Sequence, residues 1–67
     1  MFGYIKKDKV LEIIEREKKR SYDTYLRYMD SADKLTGVDA EHHRSIAIDS
    51  FSEYQECAYL IARIKNL

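Results

Sequence analysis

Two stretches of helical periodicity on either side of one glycine constrain this 67-residue sequence more than any other feature. In each stretch, apolar and small residues recur at alternating spacings of three and four, which is typical of a helix face that packs against a partner. We call these two rows the inner faces. The first contains Leu11, Ile14, Lys18, Ser21, Tyr25, Tyr28, Ala32 and Leu35, and the second contains Ala40, His43, Ala47, Ser50, Tyr54, Cys57, Ile61 and Ile64.

Gly37 lies between the two rows, and the sequence contains no proline. A glycine in the left-handed conformation commonly closes a helix, and an aspartate can cap the start of a helix. With Asp8 and Asp39 as caps, the sequence predicts an all-α chain with helices over about 8–36 and 39–66 and a turn at about 37–38. So short a turn makes the helices antiparallel neighbours in a single hairpin domain.

Placing the two inner faces side by side about Gly37 tests whether they fit each other. Large residues then meet small ones in the middle, and aliphatic residues meet aliphatic ones at the open end. Such alternation allows side chains to interdigitate, which favours the hairpin. The predicted pairs are Tyr28 with Ala47, Tyr25 with Ser50, Ser21 with Tyr54, Ile14 with Ile61 and Leu11 with Ile64.

Stability of so small a chain is the next constraint. Small domains compensate for a small core with disulfides, a metal or self-association. Cys57 is the only cysteine, and with His42 and His43 it offers too few ligands for a structural zinc site. Aromatic residues beside the inner faces also need a second surface to cover them. We therefore expect a helical-bundle homo-oligomer without metal or cofactor, onto which the apolar N-terminal segment 2–5 folds as an anchor.

The charge balance narrows the range of partners. The sequence has 12 basic and 12 acidic side chains, so no overall field attracts nucleic acid or an anionic membrane. Its longest apolar runs are far shorter than the roughly 20 residues of a membrane span. The N-terminus puts apolar residues before Lys6 and Lys7, the reverse of a secretory signal. These features predict a cytoplasmic protein without a membrane partner. Nucleic-acid binding through the basic run 16–20 is the weakest of the alternatives, because the net charge is neutral.

Candidate catalytic and metal-binding residues have simpler structural explanations. Adjacent His42 and His43 point about 100° apart on a helix, so they cannot easily chelate one ion, and His43 is expected to form a hydrogen bond near the turn. Cys57 is expected to be a small buried hydrophobe. The acidic pairs are expected to face solvent, and no phosphate loop or nucleophile motif is present, so the sequence predicts no enzyme. Those pairs are Glu12 with Glu15 and Glu53 with Glu56.

A charged residue on an inner face points to ligand binding. Lys18 occupies a position where an apolar residue is expected, and a buried ammonium needs a partner, an anion or solvent. Arg44 flanks the second inner face in a similar way. Tyr4 lies in the apolar N-terminal segment, and an aromatic ring near such cations could stack on a nucleobase. A hydrophobic plug at the open end of the hairpin is the alternative explanation for this segment.

The sequence resembles the small phage proteins of helical-hairpin type that act as nucleotide sponges, the anti-CBASS and anti-Thoeris proteins. The shared features are Gly3-Tyr4, a lysine on the inner face some fifteen residues later, and a second helix opened by Arg44 and closed by the segment 60–64. The likeness spans most of the chain.

This resemblance implies a homo-oligomer, commonly a hexamer, in the host bacterial cytosol. It would hold cyclic oligonucleotide or cyclic ADP-ribose-type signals of bacterial defence between its subunits without cleaving them. By the same resemblance Tyr4 would stack on a base and Arg44 would belong to a second pocket. A phosphate would meet Lys18 according to the periodicity, or Lys19 according to the spacing from Tyr4. The alternative function is a helical interaction module that binds or inhibits a host protein.

Overall fold

A computed structural model describes residues 6–67 of the chain, and these residues form two α-helices and no β-strand. Helix α1 spans Lys7–Lys34 and helix α2 spans Gly37–Lys65. The helices pack against each other along their length, and Lys7 Nζ lies 3.5 Å from the carbonyl oxygen of Lys65. The start of α1 therefore lies beside the end of α2, which confirms the predicted all-α antiparallel hairpin. The predicted anchor segment lies outside the described residues.

The reversal between the helices differs in detail from the prediction. Leu35 and Thr36 have extended backbone conformations and connect the helices, whereas the turn was predicted at 37–38. Gly37 has a φ of +65°, so the predicted left-handed glycine is confirmed, but it opens α2 rather than closing α1. The helix bounds differ from 8–36 and 39–66 by one or two residues, a common difference at helix ends.

The two predicted capping residues are not helix caps. The N-cap positions are Lys6 and Thr36, and neither side chain forms a capping hydrogen bond. Asp8 and Asp39 instead lie in the first turns of α1 and α2. A carboxylate there is still favourable, because it faces the positive end of the helix dipole.

Burial follows the two predicted inner faces. All their residues are buried or half-buried except Leu35, which lies in the connection and is 36% exposed. The most buried residues are small, which lets the helix axes approach closely. Ile61 is the only large apolar residue buried among those described. The buried set comprises Ser21, Ala32, Ala40, Ala47 and Ile61.

Contacts across the hairpin agree with the predicted alignment to within one helical turn. Ser21 contacts Glu53, the neighbour of its predicted partner Tyr54. Tyr25 packs against Phe51, the neighbour of its predicted partner Ser50. Tyr28 packs against His43, one turn before its predicted partner Ala47.

Candidate functional site

Four aromatic rings from both helices form one cluster near the middle of the hairpin. Tyr22 lies 5.0 Å from Tyr54, and Tyr25 lies 4.9 Å from Phe51, measured between ring centroids. Within each helix the rings are 5.9 Å apart in α1 and 5.6 Å apart in α2. Centroid distances of this size are favourable for tilted and offset rings. We call Tyr22, Tyr25, Phe51 and Tyr54 the aromatic cluster.

Lys18 lies at the edge of the aromatic cluster. Its Nζ is 5.7 Å from the centroid of the Tyr54 ring, and its side chain is half-buried on the inner face of α1. An ammonium over an aromatic face gains about 0.5–1 kcal/mol where water still reaches it. This contact explains how the inner face tolerates a lysine, and it combines one positive charge with a partly exposed aromatic surface.

The two sides of the hairpin differ in chemistry. In an antiparallel pair, the residues that border the two inner faces meet in two separate rows, one on each side. One row, the apolar flank, contains Tyr22, Leu26 and Met29 of α1 and Ile48 and Phe51 of α2. The other row contains Glu17 and Ser31 of α1 and Glu53 of α2, with Ile13, Ile46 and Leu60 on the same side by their helical spacing; we call it the polar flank because hydrogen bonds join the helices there. Ring contacts join the helices on the apolar flank, whereas hydrogen bonds join them on the polar flank.

Two interhelical hydrogen bonds lie on the polar flank: one joins Ser21 to Glu53, and the other joins Ser31 to His43. Ser21 Oγ donates to Glu53 Oε1 over 2.8 Å, although the pair Glu53 and Glu56 was predicted to face outward. Glu53 remains exposed, but its carboxylate reaches back to the buried serine. This bond could have been predicted from the sequence. A buried serine needs a hydrogen-bond partner, and Glu53 is adjacent to Tyr54, the predicted neighbour of Ser21.

His43 has the structural role that the sequence predicted. Its Nδ1 lies 2.8 Å from Ser31 Oγ, and its ring makes a T-shaped contact with Tyr28 at a centroid distance of 5.2 Å. His42 is exposed, and its ring is 6.2 Å from that of His43. Within residues 6–67, no three His, Cys, Asp or Glu side chains are close enough together to hold a metal ion.

Cys57 is a half-buried free thiol on the inner face of α2. Burial raises the pKa of this thiol, and the carboxylates of Glu53, Glu17 and Glu56 raise it further, whereas Lys18 opposes them. Because the thiolate is the reactive form, these surroundings make Cys57 a weak nucleophile. The structure thus fits its interpretation as a small buried hydrophobe.

The predicted ligand-binding residues that the structure describes occupy two separate regions. Lys18 belongs to the aromatic cluster, and the adjacent Lys19 is exposed. Arg44 is exposed ten residues before Tyr54, or about 15 Å along α2 at 1.5 Å per residue. Lys18 and Arg44 therefore do not meet in one hairpin. Tyr4 lies outside the described residues.

Comparisons with known proteins identify no relative: no family model, no curated protein and no solved structure matches this chain. The described part of the single chain encloses no pocket. Neither α1 nor α2 combines the length and apolar character that crossing a membrane requires.

Proposed function

We propose that this protein is a non-enzymatic phage or prophage sponge that sequesters a cyclic oligonucleotide or cyclic ADP-ribose-type signal of bacterial defence between copies of the hairpin. The observation that carries the proposal is the position of the Lys18 ammonium at the edge of the aromatic cluster. A cyclic nucleotide offers both matching groups, a flat base and an anionic phosphate. Base stacking on an aromatic side chain contributes about 1–3 kcal/mol, and lysine is a common phosphate ligand.

The proposed site needs more than one copy of the chain. Residues 6–67 form no pocket in a single hairpin, so one copy can offer a ligand only an open surface. Small-molecule sites usually cover most of the ligand surface. A second copy could supply the missing walls. Arg44, which lies nearer the connection between the helices, could contribute to a separate pocket.

Catalysis is not part of the proposal, because the best hydroxyl–imidazole pair has no substrate site. Ser31 and His43 are within hydrogen-bonding distance, as a nucleophile and its base would be. The ring of His43 packs against Tyr28, however, and no pocket opens beside the pair among the described residues. The contact is better explained as a structural hydrogen bond. It joins Ser31, near the end of α1, to His43 of α2.

Calorimetric titration with a panel of cyclic dinucleotides, cyclic trinucleotides and cyclic ADP-ribose isomers tests the proposal directly. We expect one class of ligand to bind, and Lys18→Gln to weaken that binding at least tenfold while the native mass is unchanged. Lys34→Gln is the matched control, because Lys34 is an exposed α1 lysine far from the cluster. Absence of binding across the panel at tens of micromolar would refute the proposal.

Two further variants distinguish the candidate contacts. If Lys19→Gln weakens binding and Lys18→Gln does not, the phosphate contact belongs to Lys19, as the spacing from Tyr4 predicts. Tyr4→Ala should weaken binding if Tyr4 stacks on a base. An unchanged affinity would remove Tyr4 from the site.

A helical interaction module is the second candidate function, and the exposed apolar flank favours it. Leu26 and Ile48 are 47% and 62% exposed, and an amphipathic helix of a host protein could pack on them. This candidate predicts that one host protein co-purifies with the wild-type chain but not with Ile48→Glu. It also predicts that no cyclic nucleotide binds.

A further inference from the structure

We infer that the apolar flank is the surface on which a second copy of this chain packs. The flank consists of Tyr22, Leu26, Met29, Ile48 and Phe51, all near the middle of the hairpin. The inference rests on the proposed function, which requires an assembly, but its physical basis is independent of any ligand. It assigns the subunit contact to one side of the hairpin and leaves the polar flank facing solvent.

The hairpin leaves several large apolar side chains uncovered. Tyr22, Leu26 and Ile48 are 39%, 47% and 62% exposed, whereas no large side chain among the described residues is fully buried. Single exposed apolar residues are normal on protein surfaces, but a contiguous group marks an interaction site. A partner on the apolar flank would turn a single layer of two helices into a two-layer bundle with an enclosed core.

The exposed surface area of the chain is larger than its mass predicts. The chain exposes 5508 Å², whereas folded monomers of its mass of 8.0 kDa expose about 4,450 Å² by the usual scaling with mass. The excess is about 1,000 Å². A standard protein interface buries about 800 Å² on each partner, so covering one side of the hairpin would remove most of the excess.

Charge is distributed unequally between the two flanks. The middle of the apolar flank is uncharged: no charged side chain borders it between Tyr22 and Met29 on α1 or between Ile48 and Ala58 on α2, and Arg44 lies one turn before Ile48 at its end. Two copies can therefore meet there without bringing like charges together. On the polar flank, Glu17 and Glu53 lie close enough to Cys57 to raise its pKa. A second copy on that side would bring further carboxylates towards them, which is unfavourable.

A matched pair of isoleucine substitutions tests the inference. Ile48→Glu places a charge on the apolar flank, and Ile13→Glu places the same charge at an isoleucine that is 49% exposed and lies, by its helical spacing from Glu17, on the opposite side of the hairpin. Leu26→Glu repeats the test on α1. The native mass of each full-length protein is measured by light scattering or sedimentation at about 100 µM, a concentration that favours association.

The expected result is a wild-type mass at least twice that of one chain, an unchanged mass for Ile13→Glu, and a mass at least halved for Ile48→Glu and Leu26→Glu. Circular dichroism reports whether a variant also loses helix. Loss of helix and mass together in Ile48→Glu, but not in Ile13→Glu, supports the inference, because the hairpin then depends on the contact at the flank.

Two outcomes would overturn the inference. One is a wild-type chain that stays monomeric at this concentration, even if it binds a cyclic nucleotide or a host protein. The other is an assembly that persists in both Ile48→Glu and Leu26→Glu, which would place the subunit contact elsewhere. A monomeric wild type would also refute sequestration between copies, whereas an assembly that persists in both variants leaves the proposed function standing if calorimetry detects ligand binding.

Discussion

Ser21 and Glu53 are joined by a hydrogen bond of 2.8 Å from the serine hydroxyl to the glutamate carboxylate. Ser21 is only 5% exposed and is the one buried polar residue among those described, whereas Glu53 is exposed. The bond therefore joins the interior of the hairpin to its polar flank. It satisfies a buried hydroxyl without placing a charge in the core.

Replacing Ser21 with alanine should lower the free energy of unfolding by about 1 kcal/mol, the typical net contribution of such a bond. The loss is moderate because water can solvate the exposed carboxylate of Glu53 in the variant. Urea denaturation at fixed protein concentration measures it. Ser52→Ala is the control, because Ser52 is an exposed serine on α2. Equal stability of the two variants would contradict a stabilising role for the bond.

Gly37→Ala should destabilise the hairpin by about 1–2 kcal/mol, because an L-residue is strained at a φ of +65°. An added Cβ would have no atom within 4 Å, so the cost comes from the backbone and not from a clash. Gly37→Asn should cost less than Gly37→Ala, since asparagine tolerates the left-handed region better. Urea denaturation of both variants tests this order. The reverse order would mean that the turn adopts another conformation.

Ala47→Leu should destabilise the protein by about 1–3 kcal/mol, because Ala47 is 0% exposed and leaves no space for a larger side chain. The helices would have to separate to admit the leucine. Ala62→Leu is the control, because Ala62 is an exposed alanine on the same helix and should tolerate the change. Thermal unfolding followed by circular dichroism compares them. A stabilised Ala47→Leu variant would show that the helices are farther apart than described.

Cys57 should react slowly with iodoacetamide in the folded protein at pH 8, and faster once urea exposes it. The reason is that burial and nearby carboxylates raise the pKa of the thiol. Lys18→Gln should raise the pKa further, because Lys18 is the group that lowers it. The pH profile of the alkylation rate measures both effects. A profile that matches a free thiol would contradict this environment.

The same shift in pKa predicts how stability depends on pH. The folded thiol holds its proton to higher pH than the unfolded thiol, so the unfolded chain loses its proton first. The contribution of Cys57 is complete below the ordinary thiol pKa of about 8.5 and is lost as the pH rises through the higher folded value. A Cys57→Ala variant should lack this alkaline decline. Urea denaturation of both proteins from neutral to alkaline pH tests the difference.

The sequence alone determined the two helices, their inner faces and the reversal at Gly37. These features are local, because the three-four spacing specifies one face of a helix wherever the helix lies. The spacing also placed His43 near the turn with a hydrogen-bonding role, which the contact with Ser31 confirms. Capping was less predictable. An aspartate can lie either at the cap or in the first turn, and the backbone around Lys6 and Thr36 decides between them.

The residues that lie beside the inner faces take their contacts from the packing of the two helices. Glu53 was expected to face solvent, yet it reaches Ser21, and Lys18 found its partner in Tyr54. The surroundings of such bordering residues are set by the opposite helix, and a shift of one turn in the pairing would replace every one of those neighbours. Periodicity within one helix carries no such information, so the difference between the apolar and polar flanks emerged only from the packing of α1 on α2.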